Sequence, residues 1–151
     1  MSAGAGAMTA RRSRVYAAHA MRSYGSEHER ECLDTLAGLF ADAEIVNPAE
    51  RSWTNAGWRR AWPQLLATLS GLVLFADEDG TVGTGCLREV ADAIAAGVPV
   101  AYLDPDCGLC ELAGLDLVPA DVRTRASTAW PVGGEQIDPG ALFRPTVEVA
   151  P

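Results

Sequence analysis

Two groups of side chains in this chain carry potential chemistry. One lies in Gly71–Asp104, GLVLFADEDGTVGTGCLREVADAIAAGVPVAYLD, and comprises Asp77, Asp79, Thr84, Gly85 and Glu89. The other is the stretch His19-Ala20-Met21-Arg22-Ser23-Tyr24-Gly25. Carboxylates held near a reacting bond serve as general acids or bases, or stabilise developing charge. An arginine and the backbone amides of a helix start bind phosphate. A cleft with carboxylates on one lip and Arg22, Tyr24 and His19 on the other suits a small polar ligand that carries a ring, with or without a phosphate.

The elements that must position these groups follow from periodicity. Leu72-Val73-Leu74-Phe75-Ala76 is a short apolar run bounded by Gly71 and Asp77, the pattern of a strand buried on both faces. An acidic, glycine-rich turn over 77–85 follows. Leu87, Val90, Ala91 and Ile94 then recur at helical spacing, and Gly97 stops that helix. The run from Val98 to Leu103 reads as the next strand. This is one βαβ unit, whose loop opens at the carboxyl end of a parallel sheet, where open α/β proteins place ligands. Glu89 falls near the start of the helix, at the mouth.

Upstream, Val15–Ala18 reads as the first strand. Ser26 and Glu29 form a capping-box signal for a helix carrying Cys32, Leu33, Leu36, Leu39 and Phe40. Ala43–Val46 is the second strand. Trp53, Trp58 and Trp62 crowd an irregular segment that reads as a loop or short helix, and a proper helix is expected from about Pro63, since proline suits a first turn. After Asp104 the pattern weakens: Leu109 to Ala113 reads as a short helix, and Leu115–Val118 or Ser127–Trp130 as a fifth strand. Val147–Val149 is a candidate for pairing elsewhere.

Strands alternating with helices imply an α/β fold: a single doubly wound five-stranded parallel sheet, Rossmann- or flavodoxin-like, in the order 2-1-3-4-5, with an irregular C-terminal tail. The expected division is a flexible tail over 1–12, an α/β domain over 13–130 and a Pro/Gly-rich tail over 131–151. In that order the loop after the first strand faces the loop after the third. His19, Arg22, Ser23 and Tyr24 then stand opposite Asp77, Asp79, Thr84 and Glu89.

Composition narrows the partners. The 151 residues carry a net charge of −8, which argues against a nucleic-acid polymer. All twelve basic residues are arginine, so a Schiff-base or P-loop lysine is excluded. No apolar run reaches the length of a membrane span, and the N-terminal segment lacks a signal-peptide core. Cys32 and Cys86 fall on predicted helices, which fits a reduced, cytoplasmic setting. Cys107 and Cys110 form a lone CxxC without the second pair of ligands that zinc needs, so no metal is expected. The tryptophans favour a homo-oligomer, such as a homodimer.

Two pieces of the chain resemble the nucleoside 2-deoxyribosyltransferase superfamily, which includes nucleotide N-glycosidases. One is Val15-Tyr16 leading into the polar loop with Arg22. The other is Gly83-Thr84-Gly85-Cys86-Leu87-Arg88-Glu89, followed by Ala93 and by Gly97-Val98-Pro99-Val100. The likeness covers about residues 13–103. It departs at Gly83, where the transferases usually carry an aspartate, and at Val98, where they usually carry a lysine. By position, Glu89 matches the family's nucleophile, which attacks the anomeric carbon of a nucleoside. The resemblance implies a nucleoside or nucleotide as small-molecule substrate, no cofactor, and a site completed by neighbouring subunits.

On that reading Asp79 or Asp77 holds sugar hydroxyls or acts as the acid. Arg22 and the amides of residues 23–26 hold a phosphate. Tyr24, Trp53 or Trp58 stacks on the base, and Tyr16, Ser23, Thr84 and Gly85 line the substrate. His19 is either a general acid or a hydrogen-bonding loop residue. Each assignment has a plainer rival: Glu89 as complement to a helix dipole, Asp77 and Asp79 as turn formers, the tryptophans as core. The competing function is a non-catalytic nucleotide-binding sensor on the same fold.

Overall fold

The computed structural model describes residues 8–10, 13–51, 55–104, 108–112, 127–129, 135–142 and 147–149. The strands are β1 (Met8–Ala10), β2 (Arg14–Ala18), β3 (Glu44–Val46), β4 (Gly71–Leu74), β5 (Thr81–Gly83), β6 (Val100–Asp104), β7 (Gly108–Glu111), β8 (Ser127–Ala129) and β9 (Val147–Val149). The helices are α1 (Glu27–Leu39), α2 (Asn55–Leu66), α3 (Thr84–Ala95) and the short α4 (Pro139–Leu142).

The central sheet is five-stranded and mixed, in the order β3-β2-β4-β6-β7. The first four strands run parallel, and β7 is antiparallel to β6. The expectation of a wholly parallel sheet is thereby corrected. Asp104 pairs with Gly108, and so short a connection cannot hold the dozen or so residues of a parallel crossover. Gly108 opens β7 at φ +87°, a conformation that favours glycine. Leu109 to Glu111, expected in a short helix, is therefore strand.

The pleat of β2 and β4 sorts the core into two layers. Tyr16, Ala18, Leu72 and Leu74 meet Trp62 and Leu65 of α2 and Cys86, Leu87, Val90 and Ala93 of α3. Val15, Ala17, Val73 and Phe75 meet Cys32 and Leu36 of α1 on the other face. Helices thus cover both faces, and the uniformly apolar β4 is buried on both sides.

Local signals set the helix ends. Ser26 caps α1, its Oγ accepting from Glu29 N at 3.0 Å. At the end of α3, Gly97 (φ +76°) donates to Ile94 O and Val98 to Ala93 O, a Schellman motif that turns the chain into β6. α2 starts at Asn55, not near Pro63 as expected, and Pro63 lies inside it. An internal proline forfeits one helical hydrogen bond. Burial of Trp62 and Leu65, on either side of Pro63, offsets that loss.

Residues 81–83, expected within a turn, form β5 and pair with β8 in a separate two-stranded ribbon. Ser127–Ala129 is therefore strand but not part of the central sheet. β1 pairs with β9, so Met8–Ala10, expected in a flexible tail, meets Val147–Val149. The candidate strand 115–118 lies outside the described residues. Among the described residues no helix is long and apolar enough to cross a membrane.

Candidate active site

α3 places Glu89 inside the protein. Cys86, Glu89, Val90 and Ala93 recur at the spacing of one helix face, and that face packs on the sheet. Glu89 is 8% exposed. Its carboxylate meets the central side chain of β2: the Tyr16 hydroxyl donates to Glu89 Oε2 at 2.5 Å. The meeting joins the middle of β2, at the centre of the sheet, to the second turn of α3.

Burial is the dominant influence on Glu89. It disfavours the charged form, the Tyr16 hydrogen bond opposes it, and the negative charge of Asp92 adds to it. Desolvation wins, and the carboxyl is pushed up to about 8. Burial and then the Glu89 charge push the Tyr16 phenol far above its ordinary range, so it remains a donor. Burial followed by Glu89 also raises Tyr24. The Cys86 thiol is pushed up to about 12, by burial first and Glu89 second, so it is not an activated nucleophile.

An aromatic wall backs this pair. Trp58 and Trp62, one turn apart on α2, stack with centroids 5.3 Å apart. The Tyr16 ring lies 5.0 Å from Trp62 and 6.0 Å from Trp58. Trp62 Nε1 donates to Asp92 Oδ2 at 3.0 Å, which ties the wall back to α3. Trp62 is core, whereas Trp58 is half-buried. Trp53 lies outside the described residues.

The loop after β2 forms the other lip. His19, which is 3% exposed, stacks on Phe75 at 4.4 Å, on the α1 side of the sheet. Its Nδ1 is 2.8 Å from Ala17 O and its Nε2 2.7 Å from Glu29 Oε2. A carbonyl only accepts, so Nδ1 carries a proton, and the Nε2–Oε2 contact holds a second one between imidazole and carboxyl. His19 is thus engaged with Glu29, whose other oxygen accepts from Gly25 N at 3.0 Å. In the sequence Glu29 reads as half of a capping box with Ser26. Its placement one turn past Ser26 made it legible as a cap but not as the partner of His19.

Ser23 Oγ donates to Asp77 Oδ1 at 2.6 Å, and Glu78 N to the same oxygen at 2.9 Å. This bond clasps the loop after β2 to the loop after β4 across the crevice. Ala20 and Gly83 approach at the same place: a Cβ added at Gly83 would sit 3.8 Å from Ala20 Cβ. Asp79 and Gly85 are exposed. Arg22 belongs to the 3₁₀ turn Met21–Ser23 and Thr84 begins α3; their side chains are outside the described set.

The structure therefore brings Tyr16 to Glu89, and separately brings Ser23 to Asp77 and His19 to Glu29, with the Tyr24 ring 5.2 Å from His19. A cleft of 720 Å³ opens between α1 and the turn after β3, lined by Tyr24, Gly25, Glu29, Asn47 and Glu50 among others. Glu89 and Tyr16 do not line it. A cavity of 140 Å³ lies near His28, Cys32 and Asp77. There His28 Nε2 lies 2.7 Å from Ala76 O and so carries its proton, which prevents it from taking one from Cys32 Sγ at 3.8 Å. Among the described residues no group of three or more His, Cys, Asp or Glu side chains is placed to hold a metal ion.

No match to a known family model, to a curated protein or to a solved structure was found.

Two outcomes are expected. Below the ordinary glutamate value of 4.5, folded and unfolded chains both hold the Glu89 proton; between 4.5 and about 8 only the folded chain does. Glu89 therefore makes stability fall as pH rises through that window, by at most about 1.4 kcal/mol per pH unit. Denaturant melts from pH 5 to 8 should show this slope in the native chain and its reduction in Glu89→Gln. Separately, Glu29→Ala strips His19 Nε2 and Gly25 N of their partner and should cost about 1–3 kcal/mol in the same melts.

Proposed function

We propose that the chain is a nucleoside or nucleotide N-glycosidase, or a 2-deoxyribosyltransferase-like enzyme, built on a doubly wound Rossmann-like sheet, with Glu89 as nucleophile. The observation that carries this reading is the buried Tyr16–Glu89 hydrogen bond between β2 and α3. A surface glutamate that only complements a helix dipole has no need of a buried phenol, whereas a carboxylate that attacks carbon needs one oxygen held and the other presented. The Gly83-Thr84-Gly85 to Glu89 motif and the Val15-Tyr16 strand supply the family likeness.

In the proposed reaction one Glu89 oxygen bonds to the anomeric carbon as the C–N bond breaks, and the bonding pair leaves with the base. A proton from an acid or through water neutralises the departing nitrogen. Water, or a second base in transfer, then takes the carbon and returns Glu89 as carboxylate. Tyr16 donates to the oxygen that is not attacking and limits its charge. Trp58 and Tyr24 are the available stacking surfaces for the base, with Asp77 and Asp79 toward the sugar and Arg22 toward a phosphate. Cytoplasmic location and assembly into a homo-oligomer belong to the same proposal.

A carboxyl held at about 8 and 8% exposed is mostly protonated at neutral pH and shielded. That observation favours a second reading, a nucleotide-binding module that does not cleave its ligand.

Chromatographic detection of free base across a panel of nucleosides and nucleotides separates the two. For the enzyme, base release is lost by about 100-fold or more in Glu89→Gln. Its rate rises with pH up to about 8 and then levels, because the ionised form attacks. A thermal shift with a nucleotide that stays intact, unaffected by Glu89→Gln, would establish the binding module and sink the enzymatic reading.

A further inference from the structure

We propose that the 720 Å³ cleft beside α1 binds a small organic amine, one that carries a ring and, next to its ammonium group, a hydroxyl or carbonyl oxygen that accepts a hydrogen bond from Asn47. Neither Glu89 nor Tyr16 lines this cleft, and the inference does not use the glycosidase reading.

Tyr24 and Gly25 follow β2, Asn47 and Glu50 follow β3, and the two strands are parallel neighbours. The cleft therefore opens beyond the carboxyl ends of adjacent parallel strands, where open α/β sheets place ligands. Asn47 is the residue whose state points to a ligand. It is 9% exposed. Its Oδ1 accepts from Ala49 N at 3.0 Å and caps the 3₁₀ turn Pro48–Glu50, which fixes which end of the amide is nitrogen. Nδ2 has no acceptor among the described residues, yet it is not sealed in the core. The part of Asn47 that stays open thus faces the cleft it lines. A cap needs the oxygen alone. Amide hydrogens held ready in a concave site match an acceptor that a ligand brings.

The rest of the lining favours a cation. Glu29, 7% exposed, is fixed in place by Gly25 N at 3.0 Å and His19 Nε2 at 2.7 Å. Asp34 and Glu50 add exposed carboxylates. Arg30 is the cation among the described lining residues, and its guanidinium pairs with Glu27 at 3.6 Å. Negative charge therefore prevails, which draws an ammonium group and repels a phosphate or carboxylate. Tyr24 and Leu33, both half-buried, supply aromatic and aliphatic surface for the body of such a ligand.

The full chain, isotope-labelled for amide NMR, is titrated with phenylethanolamine. The Asn47 side-chain amide signals, identified by their loss in Asn47→Ser, should shift saturably together with the backbone amides of Gly25 and Ala49. Serine keeps a capping oxygen and removes Nδ2. Asn47→Ser should therefore weaken phenylethanolamine about tenfold and leave phenethylamine, which lacks the hydroxyl, within about twofold. The double variant Asp34→Asn, Glu50→Gln, changed at exposed positions, should weaken both amines about tenfold or more, and it decides the matter if Asn47→Ser does not fold. Phenylethylene glycol and mandelate, the neutral and anionic counterparts, should bind about tenfold or more weakly than phenylethanolamine. Absence of saturable shifts with phenylethanolamine, equal affinity for the glycol or mandelate, or an equal loss of both amines in Asn47→Ser overturns the proposal. Base release plays no part in this titration, so failure of the glycosidase reading leaves its result standing.

Discussion

A carboxyl group lies between the sheet and α3, in a layer otherwise made of leucine, valine, alanine and aromatic rings. The structure around it is arranged to make that tolerable. Tyr16 supplies a donor from the middle of β2, and the phenol is itself held by Trp62, which is held in turn by Asp92 one turn beyond Glu89. The chain of contacts leaves α3, crosses the sheet strand and α2, and returns to α3. Losing Tyr16 leaves the buried Glu89 carboxyl without its donor, which is costly in a medium of low polarity.

The loop after β2 meets a different demand. It must cross from one face of the sheet to the other, and it divides its polar groups accordingly. His19 and Glu29 are satisfied on the α1 side, where Phe75 covers the imidazole. Ser23 reaches across to Asp77, and Tyr24 rests edge-on against His19. The residues that a sequence reading gathers into one cleft are thus distributed over three separate contacts. The division follows from the pleat: Ala17 and Ala18 face opposite layers, so the residues after them start from opposite sides.

Much of the frame was legible because it is written in local signals. The apolar run at Leu72, the Ser26 cap and the Gly97 stop each act within a few residues, and each marks an element close to where it occurs. The antiparallel β7 was not legible, since Leu109-Cys110-Glu111 has no periodicity to separate a strand from a helix turn. That α2 is one continuous helix from Asn55 is not legible at Pro63, whose preference for a first turn points downstream, although the Trp58–Trp62 spacing of one turn runs through the same segment. In the site, Glu89 was legible as a candidate but misplaced at the mouth. Its register with Cys86 and Ala93 puts it on the buried face, and that register was available in the sequence. The Tyr16 contact, between residues far apart in the chain, has no local signature at all.

The edges of the central sheet limit how copies of this chain can meet. On one side β7 is bridged: Glu111 N donates to Glu135 O at 2.8 Å and Ile137 N to Leu109 O at 2.9 Å, which occupies the groups a further strand would need. On the other side β3 is only Glu44–Val46, and Glu44 lies 3.3 Å from Arg14. A short edge strand bearing a charge is a poor template for strand addition. Both margins of the central sheet are thereby poor templates for edge-to-edge growth.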